Sequence, residues 1–540
     1  LDAVWAQPAR LIPVLAPNRG AAVGLLGAAA SAATSAAEAL EVVDLDQLRV
    51  VNGTIDLDAV AVLATPLATL DATVHALQEQ LDSVRSPWLF GPVADRISSA
   101  RRRADKVGQQ AHGAAMAARV APALLGADGP RRYLIAFTSP AESRSTSGVM
   151  GNWAELSVDE GSIELVKRGR TSDITSAMTA GGPFRFVGAS DELIERFGGV
   201  GAGSRTEPAD PRYWSNVTMS PDMPTVASQM AAMYEHATSH RVDGVFVLDP
   251  AAIAGLLQVI GPVRLPEAGI TLEASTAEQF LLREQYSEST GDRVDLLAEA
   301  TDATVDQLLS STLPGPQVIA AKLGPVALAG HLSAWASLAA EQELLETVGI
   351  DGGLPLLRDG DGLGVTLDNA AGNKIDSFVR TTVSYRGSVG DDGTVRSTAV
   401  ITLTNSAPTS GYPDYVIGNL VGLPKGTARL RVSVLSALRF VSAELDGTSV
   451  GLSAQTERGW NVMYRTLELG PGESAELTVE LGGTLATDRY SLVVKPPALA
   501  DPVEWHIEMR SPEGADLASL DGVVTRRTVI SEAGASAYRP

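Results

Sequence analysis

Cysteine is missing from all 540 residues, which excludes disulfides and thiolate metal sites outright. Stability has to come from packing, and a chain this long can bury roughly three quarters of its unfolded surface without staples. Positive charge is scarce as well: 42 Lys and Arg stand against 64 Asp and Glu, a net charge of −22. Duplex nucleic acid and anionic lipid surfaces draw their affinity from Lys and Arg, so neither is expected as the main partner. Long apolar runs are lacking too. The best candidate, Ala21 to Leu40, is mostly Ala, Gly, Ser and Thr with Glu38 inside it, and reads as an Ala-rich bundle helix rather than a membrane span. Walker loop, dinucleotide fingerprint and nucleophile-elbow serine are all absent. What remains, at 45% apolar and 20% charged residues, is an ordinary globular composition with length for about three or four domains.

Hydrophobic spacing divides the chain into three. Leu63, Leu67, Leu70, Val74, Leu77, Leu81 and Val84 keep one apolar seam on a single helix face. The turn Ser86 to Pro92 interrupts it, and an Arg-rich helix follows from about Val93 to Arg119. Residues 1–125 therefore read as a helical hairpin or small bundle. Short apolar runs bounded by turns then alternate with helical patterns: Arg132 to Phe137, Ser162 to Lys167 and Val242 to Leu248 as strands, Thr225 to His240 as a helix led in by Pro224. This predicts a central α/β domain over residues 126–372 with a mixed, doubly covered sheet. From about Asp376 only alternating segments remain, near Val379, Thr394, Leu430, Val462, Ala475 and Tyr490, so residues 373–540 read as a β-sandwich of seven or eight strands. The fold class is multidomain α+β.

Three segments could carry chemistry. In Glu142-Ser143-Arg144-Ser145-Thr146-Ser147-Gly148-Val149-Met150-Gly151, a small-residue loop after a strand would let Arg144 and backbone N–H groups meet an anion. The plainer alternative is a structural Glu142–Arg144 pair. In Trp214 to Pro224, Asn216 and Asp222 could offer oxygens to Mg²⁺, or Asp222 could simply cap the following helix. Asp243 and Asp249 flank the third strand, as functional groups or as turn formers. Arg131, Arg132, Arg144, Lys167, Arg168 and Arg170 crowd into 40 residues of an acidic chain; converging, they would make one local anion site. His236 and His240 have the i, i+4 spacing of a metal pair without a third ligand, and read more simply as dipole partners at a helix end.

At these segments the chain resembles the domain of unknown function 4012 family of actinobacteria. The family's loop Asn-x-Ala-Glu-x-Arg-x-x-Gly-Gly-x-x-Gly is matched by Ala141, Glu142, Arg144, Gly148 and Gly151, departing at Ser139, where the family has Asn, and at Ser147, where it has the first Gly of the pair. Its second block is matched by Asn216, Ser220, Pro221, Asp222, Pro224 and Thr225. Its third is matched by Val242 to Val245 with Asp249-Pro250 and Ile260 to Val263, and a later one by Gly372 to Asp376. The central domain is also distantly similar to the LytR-CpsA-Psr glycopolymer transferases, whose Ser-Ile-Pro-Arg-Asp block is absent; Thr171-Ser172-Asp173 stands in its place.

The resemblance implies an extracytoplasmic cell-envelope protein tethered by an N-terminal membrane helix, and a chain opening at Leu1 in mid-pattern fits one whose anchor precedes it. It further implies a phosphotransferase-like activity on a polyprenyl-pyrophosphate-linked glycan or cell-wall polymer. Arg144, Asp222 and Asp243 would then be catalytic. Arg168, Arg170, Glu142, Asn216 and Arg283 would bind substrate, and Asp173 and Asp222 would hold Mg²⁺. Two rival readings stand beside it: a non-catalytic glycan- or protein-binding envelope scaffold with a degenerate central domain, and a glycan hydrolase using two carboxylates.

Overall fold

The computed structural model describes residues 34, 48–83, 91–179, 191–197, 213–287, 296–358, 360–486 and 489–538. Helix and strand occur in near-equal shares, about 36% and 35%, so the multidomain α+β expectation holds.

One compact unit comprises residues 1–131, 158–163 and 312–316. Asp56 caps helix Leu57–Val62 by accepting the N–H groups of Asp58 and Ala59. Helices Ala64–Ser83 and Gly91–Leu124 follow. Arg101 donates to the Leu81 carbonyl at 3.0 Å, and His112 meets Asp71 at 3.0 Å. Partners climb one helix as they descend the other, so the pair is an antiparallel hairpin. Leu77, Leu81, Ile97, Ala100 and Ala104 pack between the helices, which places the C-terminal part of the expected seam inside. Leu57–Ser83 is long and apolar enough to cross a membrane by length and composition, contrary to the expectation that such runs are lacking. The seam's last residue Val84, the turn over 86–90 and, apart from Thr34, the stretch Ala21 to Leu40 lie outside the described residues.

The second unit holds residues 132–157, 164–311 and 317–540. Its first sheet contains β1 (Arg131–Ser139), β2 (Val149–Asp159), β3 (Ser162–Arg170), β4 (Gly244–Leu248) and, past the small β5 (Val263–Leu265) and β6 (Ile270–Leu272) ribbon, β7 (Leu332–Ala336), in the order β3-β2-β1-β4-β7. β1 runs parallel to β4, and β7 antiparallel to it, so the sheet is mixed, as expected. Alternation along β1 feeds two cores. Leu134 and Ala136 face helix Met223–Thr238, with Met230, Met233 and Tyr234. Ile135 and Phe137 face helices Pro250–Ile260, Ala277–Leu282 and Leu296–Ser310. Each fully buried Leu, Ile or Phe contributes roughly 1.5–3 kcal/mol.

The sandwich has two seven-stranded sheets. Its strands are β8 (Asp361–Asn369), β9 (Val379–Val389), β10 (Thr394–Asn405), β11 (Ala428–Ser436), β12 (Arg439–Leu445), β13 (Thr448–Ser449), β14 (Ser453–Glu457), β15 (Trp460–Leu469), β16 (Ser474–Thr484), β17 (Ser491–Lys495), β18 (Glu504–Arg510), β19 (Asp516–Val523), β20 (Thr528–Ser531) and β21 (Gly534–Ala537). The sheets run β13-β12-β16-β10-β9-β18-β19 and β14-β15-β11-β8-β17-β20-β21. β8 is buried along its whole length and pairs with β11 on one side and β17 on the other. The sandwich thus opens at Asp361, ahead of residue 373, and with twice the expected strands.

The loop from β1 to β2 returns sharply. A Cβ on Gly148 would sit 2.2 Å from the Ser139 carbonyl carbon, and Ser147 takes a left-handed φ of 65°. That is the position where the resembling family carries glycine, for which the conformation costs nothing. A serine there costs roughly 1–2 kcal/mol, offset by its hydroxyl bonds to Thr138 and Asp249, both 3.0 Å. Ser147→Ala should therefore be the more damaging change, losing about 1–2 kcal/mol relative to Ser147→Gly in urea unfolding, because only glycine relieves the backbone.

Candidate functional site

The β1–β2 loop is expected to be an open anion cradle. The structure buries it. Arg144 is 2% exposed. Its Nη1 donates to the carbonyls of Ser143 (2.9 Å) and Asn369 (3.3 Å), and its Nη2 to Glu142 Oε1 (3.0 Å) and Asn216 Oδ1 (3.1 Å). The residues on either side reach the sandwich. Ser143 N–H donates to Asp376 at 2.7 Å, Ser145 N–H to Asp368 at 2.8 Å, and Asn369 N–H returns to the Ser143 carbonyl at 2.8 Å. Ser145 Oγ adds bonds to both Asp368 oxygens and to Thr366. On the loop's other flank Thr146 bonds the carbonyls of Thr218 and Ser220, and Thr218 Oγ1 that of Gly148.

Two carboxylates of this seam are fully buried. Desolvation pushes Asp368 up to about 6, against the pull of Arg431 and Arg144, and Asp376 up to about 7, against the Ser143 N–H and Asn369. A third, Asp361, accepts the hydroxyls of Tyr385 and Tyr490 at 2.7 Å inside the sandwich, and burial pushes it up to about 6. Arg431, 3% exposed, stacks on Tyr464 at 3.6 Å and Phe197 at 5.1 Å beside Asp368, its guanidinium pushed down to about 10 by burial.

The remaining expected groups fall elsewhere, so the anticipated convergence on one pocket is not found. Asp222, fully buried, caps helix Met223–Thr238 through Thr225 and also accepts the Leu354 N–H at 2.9 Å, with Arg458 at 3.5 Å. Asp173 is exposed and accepts the Arg170 N–H at 2.8 Å. Two carboxylates on separate caps do not fit a shared Mg²⁺ site, and no group of three or more Asp, Glu or His that could hold a metal occurs among the described residues. Arg168 is exposed and pairs with Asp302 and Asp306. Asp243 accepts the Arg132 N–H at 2.9 Å and ties the start of β1 to the end of β7. Arg283 binds the Ser377 carbonyl and Asp501 and lies over Phe378. Of the expected site, Glu142, Arg144 and Asn216 come together through their side chains, and Asp173 meets the backbone of Arg170.

Two other constellations join residues that sequence singled out, His240 and Asp249, to ones that it did not, Glu155, Tyr234 and His331. Glu155, wholly buried, accepts the Tyr234 hydroxyl at 2.6 Å and meets His240 Nδ1 at 2.9 Å and Arg132. Burial alone would raise its carboxyl, but these partners outweigh it and hold it low. His236 and His240 do not share a helix face, since the helix stops at Thr238 and Ser239 turns left-handed at φ 62°. At the C-terminal ends of β1 and β4, Asp249 caps helix Pro250–Ile260 and meets His331 Nδ1 at 2.6 Å. Burial disfavours the imidazolium, yet Asp249 holds its pKa above the ordinary value. Beside it a narrow cleft is lined by Ser145, Ser147, Ser333, Gly352, Lys495 and Arg527. Burial and the neighbouring Arg527 push the Lys495 ammonium down to about 8.

Residues 128–286 match the family model described as Protein of unknown function (DUF4012). This segment is a DUF4012 domain. The first three sequence blocks of the resemblance lie within that segment, and the buried loop is its opening feature. A comparison with curated proteins finds no match. Among solved structures, an M1 zinc metallopeptidase from Deinococcus radiodurans is 16% identical with a TM-score of 0.16, covering 25% of this chain and 32% of its own. A Legionella pneumophila protein described as nutrient-binding is 7% identical with a TM-score of 0.19, covering 32% of this chain and 66% of its own. The chain thus spans about a third of the peptidase's length, and likenesses at these TM-scores carry no argument beyond the DUF4012 match.

Two measurements follow from the seam. Arg144→Met strands Glu142 and opens the carbonyls of Ser143 and Asn369, so it should cost about 3–5 kcal/mol in urea unfolding, whereas the exposed Arg168→Ala should cost under about 1 kcal/mol. For pH, the buried aspartates keep their protons in the folded state up to about 6–7, while the unfolded chain releases them near the ordinary value of 3.8. Through that window the folded state binds more protons, so their contribution to stability falls as pH rises and levels off above about 7. Asp361→Asn should flatten the decline by on the order of 2–3 kcal/mol between its two ends; a slope equal to the wild type's contradicts the assignment.

Proposed function

We propose that this chain is a non-catalytic scaffold of the actinobacterial cell envelope, placed outside the cytoplasm, whose DUF4012 domain is a degenerate relative of glycopolymer transferases. The carrying observation is the fate of the family loop: Arg144 makes its bonds to Ser143, Asn369, Glu142 and Asn216, with the sandwich seated on it. A residue that must hold a pyrophosphate needs donors left over and a path for substrate. Arg144 has one N–H without a partner, Nε, and that atom is buried. Asp222 is likewise occupied as a cap.

The exposed sandwich is then the part that meets glycan or protein. A groove at its end, lined by Asp391, Arg489, Ser511 and Glu532, offers polar groups of both signs. Envelope placement rests on the family resemblance, and helix Leu57–Ser83 is compatible with membrane association by length and composition.

The test pairs two assays on the purified chain. Incubated with a polyprenyl-pyrophosphate-linked oligosaccharide, an acceptor polymer and Mg²⁺, it should transfer nothing, while co-sedimentation with isolated envelope polymer should retain it. Transfer that disappears in a folded Arg144→Lys variant would restore the phosphotransferase reading and overturn this one.

A further inference from the structure

We propose that the cleft between the β1–β2 loop, the start of β7 and the end of β17 is a binding site for a small oxyanion, phosphate in preference to a carboxylate, held by the Lys495 ammonium and the Ser333 hydroxyl. It lies apart from the scaffold reading, which uses neither residue.

Lys495 ends β17 and lines the cleft. Among the described residues its ammonium has no hydrogen-bond or ion-pair partner, although its charged neighbours are close enough to act on it electrostatically. Those neighbours are already engaged. Arg527 pairs with Asp351 and donates to the Gly353 carbonyl at 3.3 Å. Asp222 carries its cap and Arg458. Glu457 binds Arg196 and the Ser220 hydroxyl. Each of these neighbours therefore has a bonded partner of its own, and Lys495 is the charged group of the set without one. Lys495 is half-buried, and an ammonium partly withdrawn from water without a bonded counter-charge is destabilised. One bound anion removes that cost.

A second donor faces the same space. Ser333 is 3% exposed, lines the cleft, and its hydroxyl also has no partner among the described residues. Gly352, at a left-handed φ of 64°, keeps that hydroxyl clear, since a Cβ there would come within 2.8 Å of it. The nearby hydroxyls of Ser145, Thr146 and Ser147 are spent on Asp368, the Ser220 carbonyl and Asp249, so the donors offered are the two that nothing else uses. The cleft is small, with a volume of about 40 Å³, room for two or three waters. That suits a free oxyanion or one terminal phosphate. Lys and Ser donors approaching from different elements match a tetrahedral anion better than a planar carboxylate.

The experiment labels the full folded chain with acetic anhydride under mildly alkaline conditions and reads Lys495 by mass spectrometry in chloride, acetate or inorganic phosphate at equal ionic strength. Phosphate should protect Lys495 at least about fivefold over chloride, and acetate less. The same phosphate should raise Tm, the rise vanishing in Lys495→Met and needing about tenfold more phosphate in Ser333→Ala. A phosphomonoester on a lipid headgroup, offered in vesicles, distinguishes a membrane source from free phosphate: protection by vesicles as well as by the free ion assigns the headgroup, protection by the free ion alone assigns soluble phosphate. Equal labelling in chloride and phosphate, a Lys495 inert in every buffer, or a phosphate effect on Tm that survives Lys495→Met would each overturn the site.

Discussion

The pairing of the Ser145 N–H and hydroxyl with the Asp368 carboxylate is the contact on which the second unit's architecture turns. It joins a loop from one sheet to a strand 223 positions away in another. Because Asp368 is fully buried, it tolerates its place only while those donors and the nearby Arg431 and Arg144 face it. Removing any one leaves a charge or a carbonyl without its partner in a dry seam, where it costs far more than the bond itself contributes. Arg144 follows from the same constraint. It fills the gap behind Ser143 and Ser145 and satisfies carbonyls that would otherwise be orphaned, and Glu142 and Asn216 in turn hold its outer end.

Seen this way, the sequence features that suggest catalysis are those a buried polar joint also needs. Small residues let two backbones approach, as at Gly148. An Arg beside a Glu supplies a self-compensating pair, and an Asn at the next block closes it. A substrate site and a polar joint draw on the same residue types because both must place charge away from water. They differ in whether donors remain unused. In the loop nearly all are taken; in the neighbouring cleft Lys495 and Ser333 are not.

Much of the fold was legible where periodicity is strong. Arg132 to Phe137, Thr225 to His240 and the alternation near Val379 and Thr394 became β1, helix Met223–Thr238, β9 and β10 within a few residues. β8 was not legible, since no apolar alternation marks Asp361-Gly362-Leu363-Gly364; Gly362 is there because a Cβ would lie 2.8 Å from Trp460, and the aspartates are there because tyrosines and the family loop satisfy them. The burial of Arg144 was hidden for a related reason. Local sequence places an arginine at a surface, and only the arrival of β8 and Asn369 encloses it. Lys495 carries no local signal at all, being one lysine at the end of an apolar strand. The shared thread is sequence distance: Asp361 leans on Tyr490, Asp368 on Ser145 and Arg144 on Asn369, partners 129, 223 and 225 positions away.

The claim that the family loop is a joint is tested most directly by hydrogen exchange of the three amides that cross it, Ser143, Ser145 and Asn369. If the seam binds β8 and the α/β sheet into one cooperative body, these amides exchange only through global unfolding, with the same denaturant dependence as β1 and β11. Exchange by local opening, fast while β1 and β11 stay protected, would contradict it and return the loop to the class of mobile, substrate-facing segments.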